Sequence, residues 1–189
     1  ELPLAGKKIL VTRPRELVSA MSRKLREKGA EVLELPAIST TPIPDNNLLR
    51  NAIGELHTYQ WLVFTSPTGV RIFFEALKAE KKDLRALAGL KIAVLGSGTA
   101  KALESHGLYP NLMPEIFEGE ALGKALAEKL SGGERILIPR AALGGAELIE
   151  ELEKKGVTVD DIPTYDTLYE TPGAVDEKAE FDAGTVDYA

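Results

Sequence analysis

Four short segments combine hydroxyl, glycine or arginine residues with main-chain N–H groups that a following helix would leave unpaired. They are Thr12-Arg13-Pro14, the run "TSPTG" at 65–69, the run "GSGT" at 96–99, and Pro139-Arg140-Ala141. Helix N-termini present free donors and a positive dipole end, and arginine forms bidentate pairs with oxyanions. Because ligands of open α/β sheets bind where strands end and helices begin, these segments predict binding of carboxylate or phosphate groups.

Each segment also has a plainer interpretation. Ser66-Pro67 is equally an ordinary helix cap. The run "VLGSGTA" at 94–100 is similar to a dinucleotide fingerprint, but Lys101 stands where the third glycine belongs. Arg13 and Arg140 can be read as solvated strand-end residues, although their equivalent places in the repeat described next favour a shared role.

The chain contains an internal repeat, which appears when residue n is set beside residue n+127. The run "GKKILVTRP" at 6–14 faces "GERILIPRA" at 133–141, and "LREKGAEVLELP" at 25–36 faces "LEKKGVTVDDIP" at 152–163. The match continues weakly until Trp61 faces Tyr188. Each copy has an apolar run, an amphipathic stretch ended by glycine and a second apolar run, which predicts β-α-β with parallel strands. We interpret the repeat as an ancient duplication.

Between the copies, short apolar runs alternate with amphipathic stretches. Strands are predicted at 61–65 and 91–95, and helices after Ser66, over 98–106 and over 118–130. This alternation predicts a doubly wound α/β fold. Residues 37–165 hold enough strands for a complete five-stranded flavodoxin-like domain. Residues 1–36 and 166–189 then form a second, incomplete domain. Two extended crossing segments, near 37–41 and 164–169, connect the two domains.

Tyr165 follows an apolar run at one of these crossings. As core packing it is unremarkable. At the mouth of a cleft its hydroxyl could donate a proton or a hydrogen bond. We predict that Tyr165 lies at the interdomain cleft with its hydroxyl reachable by solvent.

Composition excludes several chemistries. The absence of cysteine excludes disulfides and thiolate nucleophiles, and two distant histidines, His57 and His106, disfavour a histidine metal centre. We interpret both histidines as surface residues. The net charge of -6 argues against nucleic-acid binding. No apolar run approaches the roughly 20 residues of a membrane span, and no signal-peptide pattern opens the chain. We therefore expect a cytoplasmic protein with no membrane partner.

Taken together, these segments resemble the uroporphyrinogen-III synthase family. The resemblance rests on the order and spacing of "ILVTRPRE", "WLVFTSPTGVRIFF", "IAVLGSGTAKALESHG", "ILIPRA" and "LEKKGV" followed by "PTYDT", and it covers nearly the whole chain. It implies two flavodoxin-like domains joined by a two-stranded linker, with the substrate between them. It also implies an enzyme without a cofactor that closes hydroxymethylbilane, a polycarboxylate linear tetrapyrrole, into uroporphyrinogen III with inversion of ring D.

The resemblance also implies roles for residues. Tyr165 is the expected catalytic residue, assisting departure of the substrate hydroxyl. Thr65, Ser66, Gly98 and Thr99 match positions that hold substrate arms, with Thr12 and Arg13 doing so from the other domain. The neighbouring loop residues Pro67, Gly69, Ala100 and Arg140 complete the predicted substrate-binding set.

Two departures from the family pattern stand out. Ala141 occupies a position where the family often has glycine, and the sequence stops at Asp187-Tyr188-Ala189, the counterpart of Gln60-Trp61-Leu62. We therefore expect one complete and one truncated domain. The truncated part should be poorly ordered or rescued by swapping between chains, and this chain should be inactive or nearly so, whereas a full-length synthase is expected to be monomeric.

The run "ELPLAGKKILVTRPRE" is similar to the junction before the synthase in fusions with uroporphyrinogen-III methyltransferase, which suggests such a fusion or association. Two other classes stay open. Two similar α/β domains also describe non-enzymatic ligand-binding or regulatory proteins. A nucleotide-dependent α/β enzyme is disfavoured by the broken glycine fingerprint.

Overall fold

The computed structural model describes residues 2–11, 15–34, 38–169, 183–184 and 186–188. The chain divides into two compact units. Unit 1 is Glu1–Thr41 with Thr167–Ala189, and unit 2 is Pro42–Asp166. The boundaries between the units thus lie after residues 41 and 166. The sequence analysis predicted them after residues 36 and 165.

Unit 1 opens with strand β1 (Lys8–Val11), helix α1 (Arg15–Glu27) and strand β2 (Glu31–Glu34). β1 and β2 pair in parallel, as the β-α-β pattern predicts. A small core of Ile9, Val11 and Ala30 lies within this unit. After α1 the chain turns at Gly29, whose φ of 94° is accessible mainly to glycine.

The other elements form a layered α/β arrangement. In chain order they are β3 (Ile38–Pro42), α2 (Asn47–Gly54), β4 (Trp61–Phe64), α3 (Pro67–Ala79), β5 (Lys91–Val94), α4 (Ser97–Glu104), α5 (Gly119–Ala127), β6 (Arg135–Ala141), α6 (Glu147–Glu153) and β7 (Thr158–Tyr169). Two short 3-10 turns lie at Leu56–Thr58 and Leu84–Leu87.

The five-stranded sheet has the order β3-β7-β6-β4-β5. The pairs β4–β5, β4–β6 and β6–β7 are parallel. Alternate strand residues enter two separate cores: Leu62 and Phe64 pack with α2, α3 and α4, whereas Trp61 and Val63 pack with α5 and α6. Because helices cover both faces, the interior strand β4 is apolar and buried throughout. The predicted α/β class with parallel sheets is confirmed.

Strand pairing confirms the repeat. Lys8 of β1 faces Glu31 of β2, and Arg135 of β6 faces Thr158 of β7, so each member is displaced by 127 positions from its counterpart. The turns correspond as well, since Gly156 has a φ of 67° at the place of Gly29. The two copies therefore share backbone geometry and strand register.

The correspondence extends to the last described residues. Tyr188 bridges Ile9 in parallel, just as its counterpart Trp61 pairs with Ile136. The Asp187 N–H donates to Lys8 O at 2.8 Å, and the counterpart Gln60 N–H donates to Arg135 O at 2.9 Å. The side chains correspond too: the Lys8 N–H donates to Asp187 Oδ2 at 2.7 Å, and the Arg135 N–H donates to Gln60 Oε1 at 2.8 Å.

Two features of the sheet differ from the sequence prediction. β3 was predicted only as an extended crossing, yet it occupies the edge position beside β7. β7 was predicted to end near Ile162 but continues to Tyr169, and its pairing with β6 shifts register beyond Arg140 and reaches Tyr165. Arg140 faces Pro163 and Ala141 faces Tyr165, which leaves Thr164 as the extra residue of a β-bulge.

Candidate functional site

The first element of the site is the N-terminus of α3. Ser66 caps this helix, and its Oγ accepts the Gly69 N–H at 3.0 Å. Pro67, at the first helical position, has no N–H, and the Val70 N–H donates to Ser66 O at 3.2 Å. Within the described chain, the Thr68 N–H is therefore the one donor in this first turn without an acceptor.

The N-terminus of α4 is more open. Gly96 precedes it with a φ of 99°, and no side chain caps the helix. The N–H groups of Ser97, Gly98 and Thr99 have no acceptor among the described residues, whereas the Ala100 N–H donates to Gly96 O at 3.1 Å. Three adjacent unpaired donors at a helix N-terminus suit a carboxylate.

These two helix starts are neighbours. They follow the adjacent parallel strands β4 and β5, and a Cβ placed on Gly98 would lie 3.8 Å from Pro67 Cγ. The predicted pairing of two helix N-termini is thus confirmed. The N–H groups divide unevenly between them, with three unpaired donors on α4 and one on α3, so α4 is the stronger candidate for holding an anion.

Tyr165 adds a hydroxyl to this group. Its oxygen lies 2.8 Å from Ser66 Oγ. The side chain is only 6% exposed and belongs to the core that α2, α3 and α4 cover. The ring of Tyr165 is therefore buried, whereas the accessibility of its hydroxyl to solvent stays a prediction. The ring is a core residue whose polar end meets the α3 cap.

The bulge at Thr164 explains how Tyr165 reaches Ser66. Ile162 and Tyr165 both enter the same core although they are three residues apart, which strict strand alternation forbids. The extra residue, Thr164, is fully buried, and its hydroxyl donates to Arg140 O at 3.1 Å. The Ala142 N–H then donates to Tyr165 O at 2.9 Å and resumes the pairing. Bulges commonly redirect a side chain in this way beside functional sites.

Arg140 differs from the predicted solvated strand-end residue, because its guanidinium is buried and three of its five N–H groups donate to protein oxygens. Nε and Nη2 donate to the two Asp161 carboxylate oxygens, each at 2.8 Å, and Nη1 donates to Gly145 O at 2.7 Å. The arginine side chain is 8% exposed. A Cβ on Gly144 would lie 2.5 Å from the guanidinium carbon, so this glycine makes room for the group. These contacts give Arg140 a structural role, and its part in substrate binding stays a prediction.

The other predicted ligands divide into three groups. The main-chain N–H groups of Gly69 and Ala100 are not free to bind a substrate arm. They donate to Ser66 Oγ and to Gly96 O, respectively. Thr65 is half-buried and Pro67 is exposed beside the site, whereas the Thr99 side chain is 2% exposed and turns towards Leu95 O. Thr12 and Arg13 lie outside the described residues.

Sequence reasoning missed Asp161 and Thr164. The Asp160-Asp161 pair, which lies between the apolar residues Val159 and Ile162, was a usable signal, since a buried arginine needs a carboxylate partner. Thr164 carried no such signal, because a bulge depends on strand pairing rather than on residue type.

The described residues contain no group of three or more His, Asp or Glu side chains placed to hold a metal ion. Nor does any described helix have the length and apolar character needed to cross a membrane.

Parallel strands, two neighbouring helix N-termini and a hydroxyl pair beside them define an α/β protein whose sheet edge presents unpaired main-chain donors. The sequence identifies the family within that class. A family model described as uroporphyrinogen-III synthase HemD matches residues 19–189, and the chain belongs to this family.

Individual relatives agree with this assignment. The chain is 41% identical over 167 residues to the porphyrin biosynthesis protein HemD of Ruminiclostridium josui, covering 88% of this chain and 33% of that relative. It is 32% identical over 168 residues to a uroporphyrinogen-III synthase of Synechococcus elongatus, covering 88% and 63% respectively. The chain therefore spans less than two thirds of the length of these relatives.

A solved structure shows the same fold. The crystal structure of a mutant uroporphyrinogen III synthase from Thermus thermophilus superposes with a TM-score of 0.69 at 24% identity. The match covers 96% of this chain and 70% of that one.

Proposed function

We propose that the protein is a uroporphyrinogen-III synthase, which converts hydroxymethylbilane into uroporphyrinogen III with loss of water and inversion of ring D. The observation that carries the proposal is the joint presence of unpaired helix-start donors and the Tyr165–Ser66 hydroxyl pair at one sheet edge. Family membership supplies the reaction, and these groups supply the chemistry that an acidic substrate with a leaving hydroxyl needs.

Substrate carboxylates bind mainly at the α4 N-terminus, through the N–H groups of Ser97, Gly98 and Thr99. The Thr68 N–H on α3 holds a further arm. Because the net charge is -6, the attraction comes from these local donors and not from the overall field of the protein. Main-chain donors are insensitive to side-chain identity, so substitutions in these loops should affect binding modestly unless they alter the backbone.

Tyr165 acts as the acid. Its phenolic proton moves to the terminal hydroxyl of the substrate as the carbon–oxygen bond breaks, and water leaves. The azafulvene cation that remains is attacked by the substituted carbon of the last ring, giving a spiro intermediate. Fragmentation and reclosure then invert ring D, and the ring carbon loses a proton that restores both the pyrrole and the Tyr165 phenol. The protein favours this route over direct closure by holding the substrate arms in place.

The strand order of the five-stranded sheet supports a flavodoxin-like topology. Read across the sheet, the strand order β5-β4-β6-β7 reproduces the 2-1-3-4 order of a flavodoxin-like sheet, with β3 in the fifth position. We infer two flavodoxin-like domains joined by a two-stranded linker in a cytoplasmic monomer. Fusion to, or association with, a uroporphyrinogen-III methyltransferase belongs to the same proposal. The matched part is 33% of the R. josui relative, so a longer arrangement exists among relatives.

The test is cyclisation of hydroxymethylbilane by the natural full-length protein, with the product isomers separated. We expect the inverted isomer from the wild type and a fall in kcat of about 100-fold or more for Tyr165→Phe. Tyr109→Phe is the matched control, because Tyr109 is 75% exposed and outside the site. Only the non-inverted isomer, formed at the spontaneous rate, would refute the proposal; binding without turnover would favour a ligand-binding module.

A further inference from the structure

Ser66 stands between the helix and the proposed acid. Its Oγ accepts the Gly69 N–H at 3.0 Å and lies 2.8 Å from the Tyr165 hydroxyl oxygen. The tyrosine ring is fixed in the core, with Phe64, Val70 and Phe73 in the same cluster. The serine hydroxyl is therefore the polar group that meets the phenol where it leaves the core.

The hydroxyl protons of Ser66 and Tyr165 can be arranged in two ways. Each hydroxyl has one proton and can accept two hydrogen bonds. If Ser66 donates to Tyr165, the phenolic proton has no acceptor among the described residues and can point to a substrate. If Tyr165 donates instead, Ser66 Oγ accepts two bonds and its own proton is left over. The Gly69 N–H occupies an Oγ lone pair in both cases, and so favours donation outward from Ser66.

We propose that Ser66 is a positioning residue that donates its hydroxyl proton to Tyr165, so that the phenolic proton faces the substrate and the developing phenolate is stabilised. This inference rests on the proposed function. It replaces the substrate-binding role expected for the Ser66 side chain with a role exerted through Tyr165. No proton is gained or lost by Ser66 in the step: the Tyr165 proton goes to the departing water, and the Ser66 proton remains on Oγ as a stronger hydrogen bond.

The position of Ser66 on α3 adds to this effect. The N-terminus of a helix carries a partial positive charge. A phenolate formed beside it is stabilised both by the helix and by the Ser66 donor, and both interactions strengthen as charge develops. The bulge at Thr164 brings the phenol to this end of α3, so backbone geometry and side chain serve one arrangement.

Three substitutions separate the donor role from helix capping. Ser66→Thr keeps the cap and the hydroxyl. Ser66→Gly removes the hydroxyl, although glycine is a nearly equivalent N-cap, and Ser66→Ala removes the hydroxyl and the cap. None introduces a charge that would repel substrate carboxylates. The measurements are kcat and KM for hydroxymethylbilane in the natural full-length protein, alone and combined with Tyr165→Phe, with melting temperatures recorded for each.

We expect Ser66→Gly and Ser66→Ala to lower kcat by about 10-fold or more while KM changes little, because a hydrogen bond to a charged group is lost only as charge develops. Ser66→Thr should recover most of this loss. In the Tyr165→Phe background, Ser66→Gly should cause no further loss, since the donor then has no phenol to act on.

Two results would overturn the inference while leaving the proposed function intact. One is a Ser66→Gly enzyme with wild-type kcat. The other is an equal loss from Ser66→Gly with and without the Tyr165 hydroxyl, which would show that Ser66 acts independently. A wild-type protein that forms no inverted isomer would remove the proposed function and this role together. A rise in KM alone would return Ser66 to direct substrate binding.

Discussion

At the scale of single residues, burial distinguishes two arginines that each pair with a carboxylate. Arg140 is 8% exposed and forms a two-pronged pair with Asp161, whereas the Arg71 side chain is 49% exposed and pairs with Glu75 one helical turn away. We expect Arg140→Ala to lower the free energy of unfolding by about 2–3 kcal/mol and Arg71→Ala by less than about 1 kcal/mol.

Denaturant titration of both variants measures this difference. Substrate KM should stay unchanged in Arg140→Ala when the assay is run well below its unfolding midpoint. A raised KM with wild-type stability would restore Arg140 to the binding site. Equal stability losses in the two variants would show that the Asp161 pair contributes no more than an exposed one.

Tyr59 gives the chain a predicted sensitivity to alkali. Burial first, and then its hydrogen bond to Asp160, raise the pKa of Tyr59 above the ordinary value of 10.0. Since the folded-state pKa is the higher one, its contribution to stability is complete below pH 10.0 and is lost as pH rises beyond it. The free energy of unfolding should therefore fall more steeply above that pH in the wild type than in Tyr59→Phe.

Unfolding measured from about pH 8 to pH 11 tests the sign. Tyr109→Phe serves as the control, because Tyr109 is 75% exposed. Its slope should match that of the wild type. If Tyr59→Phe also keeps the wild-type slope, the alkaline loss has another source.

At the scale of elements, the repeat offers a matched pair of glycines. Gly29 and Gly156 end equivalent helices with φ values of 94° and 67°. An alanine at either position costs about 1–2 kcal/mol in this left-handed region. At Gly29 the new Cβ would also lie 2.8 Å from Leu2 Cβ and 3.1 Å from Ala5 N, whereas at Gly156 nothing lies within 4 Å. Gly29→Ala should therefore be the more damaging change.

Hydrogen exchange measures each copy separately, using amides of β1–β2 for Gly29→Ala and amides of β6–β7 for Gly156→Ala. The expected result is a larger drop in protection in the first pair. An equal drop would mean that the Leu2–Ala5 turn yields to the new methyl group without cost.

The same elements show which features of the fold could be predicted from the sequence. The repeat was predictable because apolar runs, helix-ending glycines and a constant offset are local signals, and they led to the strand register of both copies. The edge position of β3 and the bulge at Thr164 were not, because both depend on which strand pairs with which. Ser66 and Tyr165 were both selected from sequence, but their contact and the burial of Tyr165 follow from the bulge.

At the scale of the whole molecule, the described part of the chain has apolar clusters of unequal size in the two units. Both large clusters, including Phe64, Phe73, Leu126 and Leu152, consist entirely of residues of unit 2. Among the residues that the structure describes, the buried cluster of unit 1 contains Ile9, Val11 and Ala30, packed with a few partly buried neighbours. A parallel sheet requires cover on both faces, and two strands alone are marginal.

This division predicts different behaviour for two fragments. Residues 38–169, which retain all of β3 and β7, should unfold cooperatively when expressed alone, because both clusters and their covering helices are kept. Residues 1–34, with β1, α1 and β2 only, should show no cooperative transition, since the pairing of Ile9 with Tyr188 is lost as well. Circular dichroism with thermal melting, and hydrogen exchange at β4 and β1, distinguish the outcomes. A cooperative melt of 1–34, or rapid exchange throughout β4 in 38–169, would show that the core clusters do not determine which part folds independently.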